Sequence, residues 1–225
     1  MRFTIGWLLI LAILSFSCND GKQKSSQDDK PIFKIIESNE EVDSLFVIQE
    51  ISIPPKENWN YRGLELVKSE KESYERQKAF NLKVKQNASG YAVVIIPKIK
   101  LNQLKSKYKI SFIVKRGDIG NHLGLRLSGE APQRLDVVFN TENGNVSEIL
   151  KAGNFITNEL IKMRPLENNW YQCIITAEIN SNNINFYLGP TTGSRPIKSW
   201  ESLSTNSKGM DMLLVPSSIT FEEIE

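Results

Sequence analysis

Arg195 and Trp200 stand in one long irregular stretch, GPTTGSRPIKSWESLSTNSKG, over residues 189–209. An indole offers a flat face that stacks on the C–H side of a sugar-like ring, and a guanidinium offers a fork of hydrogen-bond donors. Long irregular loops inside compact domains commonly carry function. The same stretch reads equally as a loop folded over a sheet edge with Trp200 as its plug. Arg126 and Asp136 form a second candidate set. They fall on the less apolar faces of two predicted strands. If those strands are neighbours they make a polar platform, and Gln172 joins it if its strand is adjacent. A solvated sheet face has the same composition. His122, in Gly120-Asn-His-Leu-Gly124, is either a ligand-bonding group or a histidine at a loop edge.

Catalysis finds little to work with. The chain has one His and two Cys among 225 residues. Cys173 lies inside an apolar-patterned strand, where a thiol behaves as a small buried hydrophobe. Glycoside hydrolysis needs two carboxylates facing one cleft. Glu41-Val-Asp43 lacks a third member, and Glu222, Glu223 and Glu225 are terminal. No G-x-S-x-G elbow, P-loop, H-E-x-x-H or EF-hand loop is present. The expectation is a non-enzyme. Lys plus Arg is 28 against 26 Asp plus Glu, so composition points away from nucleic acid. A content of 40% hydrophobic residues supports a core.

The N-terminus reads as an address. Met1-Arg2 is followed by an apolar run, Ile5 to Phe16. That is short of the roughly 20 residues a spanning helix needs and fits the apolar region of an export signal. The run ends Leu14-Ser-Phe-Ser-Cys18, which resembles the signal and lipobox of a bacterial lipoprotein. The resemblance implies a signal over 1–17 and lipidation of Cys18. It also implies a lipid-anchored location at the outer membrane or cell surface. Each buried methylene contributes about 0.8 kcal/mol, so several acyl chains anchor stably where one does not. Residues 18–31, rich in Asn, Ser, Gln, Asp and Lys, read as a flexible tether. Residues 32–55 read as an N-terminal segment, with a capping box at Ser38 to Glu41, a helical turn or two to about Phe46, and a strand stopped by Pro54-Pro55.

Residues 56–225 read as one β domain. Alternation marks strands at Phe80–Val84, Tyr108–Val114, Leu123–Leu127, Leu135–Phe139, Tyr171–Ile179 and Ile184–Leu188. Tyr91–Ile96 is a continuous apolar run, and Met210–Val215 and Ile219–Ile224 close the chain. Asn143-Gly144 is a hairpin signal. Leu101–Lys107 is the one helical competitor. Short strands with turn signals between them predict an all-β sandwich or barrel.

Three stretches sharpen this. Tyr108-Lys-Ile-Ser-Phe-Ile-Val-Lys115, Val138-Phe-Asn-Thr-Glu-Asn-Gly144 and Asn169-Trp-Tyr-Gln-Cys173 resemble, in order and spacing, strands of carbohydrate-binding-module-like jelly rolls. The resemblance spans about residues 60–225. It implies a galactose-binding-like β-sandwich and non-catalytic binding of a glycan or other envelope ligand. The alternative is a structural or protein-interaction module of an envelope complex. A polysaccharide or an envelope protein is then the partner. Such modules often hold a structural calcium, for which no ligands are placed, and no other cofactor is implied.

Overall fold

The computed structural model describes residues 46–88, 92–191 and 209–225. The elements are β1 (Val47–Glu50), β2 (Asn60–Arg62), β3 (Leu64–Tyr74), β4 (Gln77–Val84), β5 (Val93–Lys100), β6 (Ser106–Arg116) and β7 (His122–Ser128). They continue as β8 (Arg134–Asn140), β9 (Asn145–Ala152), β10 (Ile156–Pro165), β11 (Trp170–Ile179), β12 (Asn183–Thr191) and β13 (Asp211–Ile224). Two short 3-10 turns, Lys56–Asn58 and Glu167–Asn169, precede β2 and β11.

Seven strands form one sheet in the order β10-β11-β6-β13-β4-β3, with β1 also pairing β13. Six form the other, in the order β2-β5-β12-β7-β8-β9. All pairings are antiparallel. The chain passes repeatedly from one sheet to the other, giving the jelly-roll sandwich that the alternation predicts.

The period-2 pattern builds the core directly. Tyr108, Ile110, Phe112 and Val114 turn inward from β6, facing Leu123, Leu125 and Leu127 of β7 and Leu135, Val137 and Phe139 of β8. Phe112, Phe139, Phe186 and Phe221 meet edge to face across the middle, with ring centroids 5.4–5.8 Å apart. Each fully buried ring contributes about 1.5–3 kcal/mol. Trp59 is buried at the sandwich edge and donates its indole N–H to the Pro54 carbonyl at 2.8 Å. Trp170 lies on the outer face of the seven-stranded sheet, 2% exposed, beneath Tyr74 and Lys115.

Several elements differ from the expectation. Residues 101–105 form no helix, and β6 begins at Ser106. Lys105 has φ +61° and bonds back to the Ile179 carbonyl, which turns the chain straight into the strand. Strand β1 pairs with the last strand, and the buried Ile51 donates its N–H to the Phe221 carbonyl. Residues 47–51 therefore belong to the sandwich rather than to a separate segment. Strands β3, β9 and β10 carry no clean alternation. They lie at sheet edges, where one strand neighbour is missing and charged residues are tolerated. The Asn143-Gly144 hairpin is present, with Gly144 at φ +72°. The predicted helical turn at 38–46 falls outside the described residues, as do Cys18 and the tether.

Candidate functional site

Trp200 and Arg195 lie outside the described residues, which stop at Thr191 on one side and resume at Gly209. Arg126 and Asp136 are well placed. Strands β7 and β8 are neighbours, and the two residues stand directly opposite in register. Arg126 holds Asp136 with both prongs of its guanidinium, Nε to Oδ1 at 2.5 Å and Nη2 to Oδ2 at 2.9 Å. Arg134 Nε approaches Oδ2 at 3.4 Å. The Asp136 side chain has no exposed surface. A carboxylate removed from water must be paired and hydrogen-bonded, and the bidentate fork does this with two charge-assisted bonds. Both oxygens of Asp136 are thus held by arginines. Gln172 does not join them. It sits on β11 in the other sheet, between Arg164 and Ile113.

His122 opens β7 opposite Asn140 and is 8% exposed. Its Nδ1 lies 2.6 Å from Asn121 Oδ1. Burial lowers its pKa from the ordinary histidine value, and the nearby Glu142 charge opposes that shift. Cys173 is fully buried, and burial pushes its thiol well above the usual range, the opposite of what a nucleophile needs. Among the described residues no three His, Cys, Asp or Glu converge to hold a metal ion.

A concavity lies elsewhere, at one end of the sandwich. Its walls are the turns β7–β8, β9–β10 and β11–β12, with Lys98 of β5 and Leu104 completing the rim. Half open to solvent, it has a volume of about 620 Å³, within the range of roughly 300–1,000 Å³ typical of ligand sites. The lining includes Gln133, Asn154, Asn180, Ser181, Asn182, Asn183 and Asn185. Leu104, 54% exposed, supplies apolar surface, while Phe155 of the lining is buried in the core.

The three turns are tied to one another. Gln133 Oε1 accepts the backbone N–H groups of Asn154 and Phe155, at 2.9 and 3.0 Å. The Asn180 N–H reaches the Phe155 carbonyl at 2.7 Å. Gly153 has φ +76°, and a Cβ there would stand 2.1 Å from Gln133 Oε1, so this turn requires glycine. Ser181 Oγ donates to the Asn183 carbonyl at 2.7 Å, which closes the β11–β12 turn. Lys98 has φ +53°, at a register shift of β5, and Asn185 Oδ1 accepts its N–H at 3.0 Å.

The bonds left over define the chemistry. Among the described residues, the side-chain amides of Asn154, Asn180, Asn182 and Asn183 take part in no hydrogen bond, and all four residues are exposed. Planar amides converging beside an apolar surface match a ligand that is polar on its edges and apolar on a face. This set was missed in the sequence. Asn180-Ser-Asn-Asn-Ile-Asn185 reads there as an ordinary turn, because Asn is favoured in turns for backbone reasons. Its density of Asn is the one signal that points to the site.

No protein-family model matches the sequence, and no curated protein does. Among solved structures, the chain is similar to the CBM22-1 xylan-binding domain of Paenibacillus barcinonensis Xyn10C. The identity is 11% and the TM-score 0.43, covering 80% of this chain and 96% of that one. A β-1,3-glucan-binding CBM6 from Bacillus halodurans matches at 12% identity and TM-score 0.37, covering 75% and 91%. The CBM22-1–GH10 modules of Clostridium thermocellum xylanase 10B match at 12% identity and TM-score 0.40, over 80% of this chain. The match spans only 28% of that xylanase chain's length. The ligands in these descriptions are those of the neighbours. For the chain itself, the strand pairings establish a two-sheet antiparallel jelly-roll sandwich.

Proposed function

We propose that the domain is a non-catalytic glycan-binding module whose site is the end cavity. The observation that supports this is the set of four uncommitted Asn amides around one cavity with Leu104 at its rim. A sugar ring presents hydroxyls at its edge and C–H groups on its face. Amides serve the first and an exposed aliphatic or aromatic surface serves the second. Among the described residues Glu130 is the only acid in the lining, so they bring no pair of carboxylates to the site. The test is titration of the purified protein with a panel of soluble polysaccharides, for wild type, Asn182→Ala and Leu104→Ala. Both substitutions are at exposed turn positions and leave the fold intact. Saturable binding that each variant weakens by about tenfold, the equivalent of 1.4 kcal/mol, is the expected result. Binding that both variants retain in full removes the cavity from the proposal.

The anchor is part of the same reading. Export and lipidation at Cys18 would hold the domain at the outer membrane or cell surface through the tether. Cys18→Ser is expected to move the protein from the membrane fraction to the soluble fraction of fractionated cells. An unchanged distribution would remove the lipid anchor. Exposed Phe46 and Ile48 of the N-terminal strand region, 75% and 60% accessible, favour a second reading, contact with an envelope protein.

A further inference from the structure

Two amides of the end cavity are not symmetric toward a ligand. Gln133 Oε1 is occupied by two backbone N–H groups. Asn185 Oδ1 is occupied by the Lys98 N–H. Backbone N–H groups only donate, so they fix which end of each amide is the oxygen. Gln133 then has only its NH₂ end left, a donor, whereas Asn185 keeps its NH₂ end and one lone pair of Oδ1. Ser181 has its hydroxyl engaged with the Asn183 backbone. Lys98 lines the same cavity and is exposed, and an ammonium only donates. Gln133 and Lys98 of the lining thus ask only for acceptors.

The charge of the lining agrees. Lys98 is exposed and forms no ion pair among the described residues. Residues 93–117 contain no Asp or Glu. Among the described residues Glu130 is the single carboxylate in the lining. A neutral hydroxyl both donates and accepts, whereas a carboxylate or sulfate only accepts and carries the opposite charge. From the donor end of Gln133 and the unpaired Lys98 in one lining, we infer that the cavity takes an anionic glycan, with Lys98 facing its acid group. This rests on the glycan reading of the cavity and names the class of glycan.

The experiment uses matched pairs that differ chiefly in charge: polygalacturonate against its methyl ester, and chondroitin sulfate against chondroitin that has been both desulfated and carboxyl-reduced. The full chain, purified in a detergent without a sugar headgroup, is titrated with each. The acidic member of at least one pair is expected to bind about tenfold more tightly than its neutral partner, a factor a single charge-assisted hydrogen bond can supply. The advantage should shrink as salt rises, since exposed charges are screened. Lys98→Gln should remove most of the preference, and Lys98→Arg should restore it. Equal affinity within every pair, or a preference untouched by Lys98→Gln, overturns the anionic assignment while leaving a glycan site. Failure of all four polysaccharides, together with failure of the neutral panel, overturns the glycan reading itself.

Discussion

Arg126→Ala is expected to lower the unfolding free energy by about 3–5 kcal/mol, the range for breaking a buried ion pair by removing one partner. The reason is Asp136. Its side chain has no exposed surface, and Arg126 supplies the shorter of its contacts. Without that guanidinium, Asp136 loses its bidentate partner and is left beside Arg134, whose side chain is 31% exposed and whose Nε stands 3.4 Å from Oδ2. A loss of this size is a large share of a stability that for a domain is commonly about 5–15 kcal/mol. The paired replacement Arg126→Met with Asp136→Leu should lose far less, because it removes the desolvated charge together with its partner. Urea unfolding of the two variants beside wild type reads both effects. A single-variant loss below about 1 kcal/mol would mean that other groups already neutralise the carboxylate. If Arg126→Ala kept its stability and lost glycan affinity instead, the pair would stand as ligand-binding.

The other large effect lies in the core. Phe186→Ala should destabilise by about 3–5 kcal/mol, as aromatic truncations in packed interiors do. Phe186 has no exposed surface and sits on β12, in the middle of the six-stranded sheet. Its ring meets Phe112 at 5.8 Å and Phe221 at 5.4 Å, both edge to face, from β6 and β13 of the facing sheet. Removing it deprives two rings of a partner and leaves a cavity between the sheets. Phe186→Leu, which refills much of that volume, should lose only about 1–2 kcal/mol. Midpoints and slopes from urea unfolding separate the two. Near-identical stability of the alanine variant would contradict the packing of the two sheets around this ring.

Where the chain alternates, sequence and structure coincide. The inward faces of β6, β7, β8, β11 and β12 are the apolar residues that period 2 selects, because a strand buried on one face must repeat every second residue. The edge strands were less legible. Leu64–Tyr74 has apolar residues at its start and then Lys and Glu, and Asn145–Ala152 has its alternation shifted by an irregularity in the pairing with β8. Leu101–Lys107 looked helical because local spacing contains no record of the backbone bond from Lys105 to Ile179.

Arg126 and Asp136 show the same division more sharply. Their types and polar-face positions were visible in the sequence. That each is the other's partner, and that Asp136 is wholly removed from water, follows only from the register of β7 with β8 and from burial. The end cavity was beyond local reading altogether. Its amides come from three turns that no periodicity relates, and each Asn alone is explained by turn preference. The amino-acid sequence by itself determined the β class, the inward faces and the composition of the turns, because those depend on neighbours along the chain. The meeting of those turns around one cavity, and the choice of which amide ends remain free, were decided by tertiary packing, which joins residues distant in sequence.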